Sequence, residues 1–322
     1  MNINHKNTLV TGFVIAATFF AATSIQAALL VSENYDSKSV GNLIGQDSTL
    51  GSTGLSGNYT RNGVDGGQTM NVVAGGLAFS TYSTTSGNSL IATSTAAGGG
   101  SNGSGFVAVA GLSLAASHTG TLYSSYLINF STLSTGAGAA STRITSSSGA
   151  TSGAARFNLR AEAATNSVIT PGVSYGGAAT GFSGTNLAID TTYMVIGRFT
   201  NVGTDLSGAD GVASLFALTA AQWDSFTLAG STDAYLDGAS VGTGSGQISA
   251  MATDTVTAGT FSFANGNFVQ TVMSTSKSGT QTYQFDNMLF GTTLADVAVI
   301  PEASTILLGV LGALALFLFR RR

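Results

Sequence analysis

The chain carries few residues that could act as a general acid, a general base or a nucleophile. Its three glutamates are Glu33, Glu162 and Glu302, and none belongs to a Glu-x-Asp-x-x-Glu cluster. Retaining cleavage of a glycosidic bond needs two carboxyl groups about 5 to 5.5 Å apart. Asp233 and Asp237 could replace such a pair, although a solvated turn also explains two aspartates at this spacing. The sequence therefore predicts no catalytic residues and no enzymatic activity.

Nucleophilic catalysis has little support in the residues present. His118 lies in Ala-Ala-Ser-His-Thr-Gly, a turn-like context, and a Ser-His-Asp triad would have to be built around it. No Gly-x-Ser-x-Gly turn leads into a predicted helix, so we interpret His118 as a surface turn residue. The chain has no cysteine, which excludes a thiolate nucleophile, thiolate metal ligands and disulfides.

A calcium site is the one cofactor site that the sequence suggests. Asp205 and Asp210 flank hydroxyl and carbonyl oxygens in Asp-Leu-Ser-Gly-Ala-Asp-Gly, between two predicted strands. Hard cations take such oxygen ligands from loops. Aspartate and glycine are also the residues that tight turns contain, and this alternative stays open. No other cofactor is indicated.

Trp223 is the only tryptophan, and it is the candidate for contact with a sugar. Aromatic rings stack on apolar sugar faces when polar groups surround them. The context Gln-Trp-Asp-Ser-Phe is polar enough for an exposed ring, but a tryptophan at the edge of the core fits it equally well.

The composition favours strands over helices as the elements that position these residues. Only 8% of the chain is charged and 43 residues are glycine, which suits short strands and polar turns. The predicted strands are Leu29 to Tyr35, Thr69 to Ser80, Gly105 to Leu112, Gly120 to Phe130, Ala154 to Ala161, Thr192 to Phe199, Val212 to Leu218, Gln247 to Met251, Thr257 to Ala264 and Thr282 to Gly291. This spacing predicts an all-β, antiparallel sandwich.

Two kinds of segment, with two examples of each, differ from the rest of the chain. The aromatic and β-branched residues of 122–130 and 193–199 are dense enough to predict central strands. The Ser, Thr, Gly and Ala of Ser80 to Ser104 and of Thr132 to Ser152 instead predict solvated surface connections.

The charge balance argues against nucleic acid as a partner. The chain has 15 acidic and 11 basic residues, and several of the basic ones lie at its two ends. Without a basic patch in the body of the chain, phosphate binding and counterion release have no support.

The first 27 residues have the pattern of a secretory signal peptide. Lys6 precedes an apolar segment, and Thr-Ser-Ile-Gln-Ala ends in Ala27, where we predict cleavage by signal peptidase after passage through the secretion translocon. A first membrane helix that is not removed is the alternative.

The last residues predict a membrane helix. The segment 303–319 has no charge and would span roughly 25 Å as a helix, slightly less than a hydrocarbon core of about 30 Å. Arg320, Arg321 and Arg322 follow it directly, which favours a cytoplasmic C-terminus. We therefore expect the body of the chain on the outer side of the inner membrane.

Pro301, Glu302 and Ala303, followed by this helix and the arginine cluster, resemble the PEP-CTERM sorting signal. The resemblance implies a Gram-negative bacterium, an exosortase-type membrane protease as partner, transient residence in the inner membrane and processing near Pro301-Glu302-Ala303. Ala303 stands where the family has a second proline. A plain C-terminal anchor is the alternative.

The order of segments between the two ends also resembles a family of ectodomains. The residues that carry the resemblance are the opening Glu33-Asn34-Tyr35-Asp36, the strands 123–130 and 193–199, and the closing 283–297 with its Gly-Thr-Thr-x-x-Asp-Val turn. They look like laminin-G-like, concanavalin A-like jelly rolls, which implies two curved antiparallel sheets whose first and last strands pair.

These observations predict three parts: a signal peptide at 1–27, a β-sandwich ectodomain at 28–299 and a sorting signal at 300–322, with its motif at 300–305 and its transmembrane helix at 303–319. We predict an exported, non-enzymatic protein of the cell surface or extracellular matrix, associated with exopolysaccharide. The alternative is a carbohydrate-binding module that follows the same export route.

Overall fold

The fold was analysed in a computed structural model of the chain. The structure describes residues 29–62, 68–80, 82, 87–95, 105–132, 138–145, 155–161, 168–175, 181–182, 185–202, 211–238, 248–253, 263–264, 267–275 and 280–298. Seventeen strands and three helices lie in these ranges. All strand pairs are antiparallel, so the predicted all-β sandwich is confirmed at the level of two antiparallel sheets.

Sheet 1 has nine strands and sheet 2 has eight. The strands of sheet 1 are β1 (Leu29–Glu33), β2 (Gly41–Asn42), β4 (Gln68–Ala74), β5 (Asn88–Thr95), β7 (Gly120–Thr132), β13 (Thr192–Val202), β14 (Val212–Leu218), β15 (Ile248–Thr253) and β17 (Thr280–Gly291). The strands of sheet 2 are β3 (Leu55–Asn62), β6 (Gly105–Leu112), β8 (Gly138–Thr145), β9 (Ala155–Ala161), β10 (Val168–Tyr175), β11 (Gly181–Phe182), β12 (Leu187–Ala188) and β16 (Phe268–Thr275).

The strand order confirms two predictions about position in the sheet. Sheet 1 runs β15-β14-β13-β7-β17-β5-β4-β2, so β7 and β13 are central neighbours, as their dense apolar sequences predicted. The first strand, β1, pairs with the last, β17, which is what the ectodomain resemblance implied. Sheet 2 runs β11-β10-β9-β8-β16-β6-β3, with β12 paired to β10.

One hydrophobic core fills the space between the two sheets. Tyr126 and Phe285 of sheet 1 are in ring contact there, with centroids 5.4 Å apart. Sheet 2 contributes smaller side chains, among them Ala108, Ala110 and Ile144, which are all buried. Alternate residues of each strand point to this core, because successive side chains of a strand lie on opposite faces.

A second core covers the other face of sheet 1. It contains Leu127, Met194 and Phe216, which alternate with residues of the first core along β7, β13 and β14. Three helices cover this face: α1 (Ala220–Leu228), α2 (Asp233–Asp237) and α3 (Leu294–Val297). Helix α1 begins at a capping box in which the Thr219 hydroxyl accepts a hydrogen bond from the Gln222 backbone N–H. The centre of sheet 1 is therefore buried on both faces.

The prediction that Ser80 to Ser104 and Thr132 to Ser152 are only surface connections is wrong. Strand β5 lies in the first segment and β8 in the second, and each is an interior strand of its sheet. Leu90 and Ala92 of β5 are buried, as are Thr142 and Ile144 of β8. A few core residues at every second position are enough to form an interior strand once neighbouring strands satisfy the backbone hydrogen bonds.

The two ends of the chain lie outside the described residues. This applies to the signal peptide with Ala27, to Pro301, Glu302 and Ala303, and to Arg320, Arg321 and Arg322. None of the helices in the described part of the chain is long and apolar enough to cross a membrane.

Candidate functional site

A buried ion pair near the start of the chain is fully occupied by internal partners. Lys38 Nζ lies 3.2 Å from Glu33 Oε2, and both side chains are 1% exposed. The Lys38 ammonium also donates to the Ser52 hydroxyl and to the Ser48 backbone carbonyl. Glu33 accepts further hydrogen bonds from the Tyr59 hydroxyl and the Ser52 hydroxyl. This network ties the 33–59 region together and leaves neither ion free for a ligand.

The aspartate pair considered for catalysis holds a helix to sheet 1. Asp233 and Asp237 lie on α2, and both accept hydrogen bonds from Arg198 of β13, at 3.0 Å from Nη1 to Asp233 Oδ1 and 2.6 Å from Nη2 to Asp237 Oδ1. Tyr123 of β7 donates to Asp233 Oδ2 at 2.7 Å. Burial and this hydrogen bond raise the pKa of Tyr123 above its usual value. The cluster is a structural clamp, and the turn that we expected here is a helix.

The proposed role of Trp223 in sugar stacking is wrong for this structure. Trp223 lies on α1 and its side chain is fully buried in the second core. Its ring contacts Tyr82 and Phe226, with centroids 5.6 and 5.5 Å apart. The polar residues around it in the sequence, such as Asp224 and Ser225, face outward on the same helix. A ring enclosed in this way offers no face to a sugar.

His118 is held by the backbone and not by an acid or a nucleophile. Its Nε2 lies 2.8 Å from the Thr121 carbonyl oxygen, and its backbone N–H donates to the Phe263 carbonyl. The side chain is half-buried. These contacts agree with the prediction of a turn histidine.

The calcium prediction is not tested by the structure, because Asp205 and Asp210 lie outside the described residues. Across the ranges that are described, no group of three or more His, Asp or Glu side chains could hold a metal ion. Asp286 of β17 is buried and accepts hydrogen bonds from the backbone N–H groups of Leu77 and Asn287.

The face of sheet 2 that points away from the core differs from its counterpart on sheet 1. The three described helices pack on β7, β13, β14 and β17, which all belong to sheet 1. On β8 and β16 of sheet 2, the buried residues Thr142, Ile144 and Val269 mark the positions that face the core. The positions between them therefore belong to the outer face.

The register shows that polar and apolar residue types share these outer positions, with Val107, Val109, Phe268 and Val272 on β6 and β16 and mostly polar types on β8 and β9. One row across the sheet, in order from β3 to β10, is Thr60, Val109, Gln270, Arg143, Arg156 and Ser174. The next row contains Ser141 of β8 opposite Asn158 of β9. At its β10 edge this face is buried at Thr170 and Gly172, the register partners of Arg160 and Asn158. Across β8 and β9 the register places hydrogen-bonding residue types side by side.

The sequence analysis placed Arg156 and Asn158 on a predicted strand but did not assign them to a candidate site. Arg143 was assigned to a connection, and the strands β10 and β16 were not predicted. The signal that could have found them is the alternation in Arg156-x-Asn158-x-Arg160, where every second residue is polar and the residues between, Phe157 and Leu159, are apolar.

No protein-family model and no curated protein matches the sequence. Solved structures with a similar arrangement include an endo-β-1,4-glucuronan lyase from the fungus Trichoderma reesei, at 10% identity and a TM-score of 0.43, covering 74% of this chain and 96% of that one. They also include the alginate lyase Aly36B, at 12% identity and a TM-score of 0.41, covering 82% of this chain and 97% of that one. A third is an endo-acting O-glycanase of the human gut microbiota, at 9% identity and a TM-score of 0.39, covering 82% and 98%.

The prediction of a protein without enzymatic activity is corrected by these comparisons. The similar structures include polysaccharide lyases. The absence of a glutamate pair counts only against hydrolysis of a glycosidic bond. A lyase cleaves that bond by elimination and does not need the pair. The comparisons themselves assign no activity to this chain.

Proposed function

We propose that this protein is exported and binds an extracellular polysaccharide through the outer face of sheet 2. The observation that carries the proposal is the asymmetry of the sandwich. Helices cover sheet 1, whereas the outer positions of sheet 2 carry polar residue types such as Gln270 and Asn158. Polysaccharides are extended and rich in hydroxyl groups, so a sheet face that carries amide and hydroxyl residue types is complementary to them.

The position of the charged clusters supports this choice of surface. The structure describes two ion-pair networks, and in each the charged groups bind one another. One joins Lys38 to Glu33, and the other joins Arg198 to Asp233 and Asp237. The one tryptophan is buried. Among the described strands, β8 and β9 place suitable residue types in register on the outer face of sheet 2. The antiparallel sheets and the pairing of β1 with β17 support the finer assignment to a concanavalin A-like jelly roll.

Export is the second part of the proposal. It rests on the signal peptide pattern ending at Ala27 and on the resemblance of 300–322 to a PEP-CTERM signal. We propose that an exosortase-type protease processes the precursor near Glu302 and releases the sandwich to the cell surface or matrix. Calcium bound near Asp205 and Asp210 stays part of the proposal as a candidate cofactor of the ectodomain.

Binding is tested with the full chain purified in detergent and passed through gels that contain the producer's own exopolysaccharide. We expect retarded migration for the unchanged protein. The double variant Asn158→Ala/Gln270→Ala should migrate faster than it. The matched control, Asn129→Ala/Gln284→Ala, removes the same two residue types from sheet 1, where the two are register partners. Equal retardation of both double variants would rule out the outer face of sheet 2 as the site.

Export is tested by mass spectrometry of the native protein from membrane, surface and medium fractions. We expect an N-terminus at Ala28 and a C-terminus near Glu302. Retention of Arg322 in every fraction would show that the C-terminal helix is an anchor and not a sorting signal.

A further inference from the structure

The charges of the two sheets are distributed unequally. The strands of sheet 2 contain four arginines and neither aspartate nor glutamate, whereas those of sheet 1 contain Glu33, Asp286 and Arg198. The basic residues of the segment 28–299 are Lys38, Arg61, Arg143, Arg156, Arg160, Arg198 and Lys277. Three of these seven lie on the neighbouring strands β8 and β9, although the chain as a whole has a net charge of −4.

Register places these three arginine positions on one face of sheet 2. Arg143 lies between the buried residues Thr142 and Ile144, so its position belongs to the outer face. Arg156 is the register partner of Arg143 and shares that face. Arg160 follows Arg156 by four residues on the same strand, which returns to the same face because the side-chain period of a strand is two. We call Arg143, Arg156 and Arg160 the arginine triad.

Two arginines at directly opposite positions are expected to lower the stability of the sheet unless an acidic group offsets their repulsion. Like charges directly opposite each other on two strands are destabilising, and no strand of this sheet supplies an acid to offset them. Glu162 follows β9 but lies outside the described residues. Charges that block strand aggregation belong on edge strands. Strands β8 and β9 are interior strands, so edge protection does not explain the triad.

We propose that the arginine triad binds the carboxylates of an acidic polysaccharide, so that the ligand of the outer face is a polyuronate. This inference rests on the proposed function and deepens it. The guanidinium group is planar and binds carboxylates with two parallel hydrogen bonds, a geometry that lysine lacks.

The spacing suits a polymer that alternates charge with hydroxyl groups. Arg156, Asn158 and Arg160 share one face of β9 at intervals of about 6.7 Å, with an amide between two cations. Arg143 lies across the sheet from Arg156 at the strand spacing of about 4.8 Å. Nucleic acid, with a much denser negative charge, would be repelled by the acidic remainder of the chain.

The test compares polygalacturonate with its methyl ester, which has the same backbone without the charge. Isothermal titration of the full chain in detergent should show binding to polygalacturonate and at least about tenfold weaker binding to the ester, because a charge-assisted hydrogen bond contributes about that factor. Arg156→Gln and Arg160→Gln should each weaken polygalacturonate binding about tenfold. Arg156→Lys should recover only part of it. Arg198→Gln, the matched control on sheet 1, should bind as the unchanged protein does.

A second measurement separates ligand binding from a structural role. In the absence of polysaccharide, Arg143→Gln should raise the Tm, because it removes the repulsion with Arg156. A lower Tm together with unchanged binding would show that the triad stabilises the sheet and would overturn the inference.

The outcomes distinguish this inference from the proposed function. Equal binding of the acid and the ester would overturn the polyuronate assignment and leave polysaccharide binding in place. Binding of neither polymer, nor of the producer's exopolysaccharide, would overturn both. Tighter binding of double-stranded DNA than of polygalacturonate would show that the partner belongs to a different class.

Discussion

At the scale of single residues, we expect the stability of the protein to be sensitive to substitution at the buried ion pair between Lys38 and Glu33. Each ion has lost its water, and each depends on the other together with the hydroxyls of Ser52 and Tyr59. Breaking such a pair leaves one charge buried and uncompensated, which is costlier than removing both.

The variant Lys38→Met should therefore lower the free energy of unfolding by about 3 to 5 kcal/mol. Urea denaturation followed by tryptophan fluorescence measures this, because Trp223 is the single emitter. The double variant Lys38→Met/Glu33→Gln is the control and should recover part of the loss. A loss below about 1 kcal/mol for Lys38→Met would mean that the pair is solvated and not buried.

A second prediction at this scale concerns Trp223, whose role we now expect to be structural and not sugar binding. Trp223→Ala should destabilise the protein by about 3 to 5 kcal/mol, since it removes a fully buried ring between Tyr82 and Phe226. Trp223→Phe keeps an aromatic ring, so it should lose less stability and migrate unchanged in gels with exopolysaccharide. Faster migration of a folded Trp223→Phe protein would restore a role in sugar binding.

At the scale of elements, Arg198 connects helix α2 to sheet 1. Among the described residues it is the cation in contact with Asp233 and Asp237, and its side chain also lies over the Phe216 ring. The hydrogen bonds with Asp237 are the largest of the effects that raise the pKa of Arg198, so its guanidinium group keeps its charge.

Arg198→Gln should loosen α2 from the sheet and leave the two sheets intact. The aspartates are about half exposed, so we expect a loss of only about 1 kcal/mol in stability. Hydrogen exchange should accelerate at 233–238 and remain unchanged in β7. Tyr123→Phe removes a single hydrogen bond to Asp233 and is the milder control. Uniform acceleration over all strands would contradict a local clamp.

Some strands could be predicted from the sequence and others could not. Strands β7 and β13 were predicted because both faces of each are buried and their sequences are dense in aromatic and aliphatic residues. Strands β5 and β8 were not, because Ser, Thr, Asn, Ala and Gly make up most of each. Such strands are stabilised by the ladders on either side, and a sequence window contains no trace of those neighbours.

At the scale of the whole molecule, we expect the buried tyrosines of the two cores to make the protein less stable at high pH. Burial raises the pKa of Tyr59, Tyr82, Tyr123 and Tyr126 above the ordinary value of 10.0. For Tyr59 the charge of Glu33 adds to this effect. A raised folded pKa gives stability that is fully present below pH 10.0 and is lost as the pH rises toward the folded value.

We therefore expect part of the phenolate absorbance to rise only above pH 10. The phenols of Tyr59, Tyr82, Tyr123 and Tyr126 should ionise there, together with unfolding. Circular dichroism on the same samples separates ionisation from unfolding. A single phase near pH 10 with native circular dichroism would contradict the burial of these side chains.

The amino-acid sequence by itself determined the strand class and the central strands, because those depend on local alternation and on the density of apolar residues. The pairing of the first and last strands was implied by the ectodomain resemblance, and the export signals that we propose are read as linear patterns. The tertiary structure decided what no linear pattern contains. It enclosed Trp223, converted Asp233 and Asp237 from candidate catalysts into a clamp on Arg198, and brought three arginine positions to one face of sheet 2. Register and layer packing join residues far apart in the chain, and only the folded molecule specifies them.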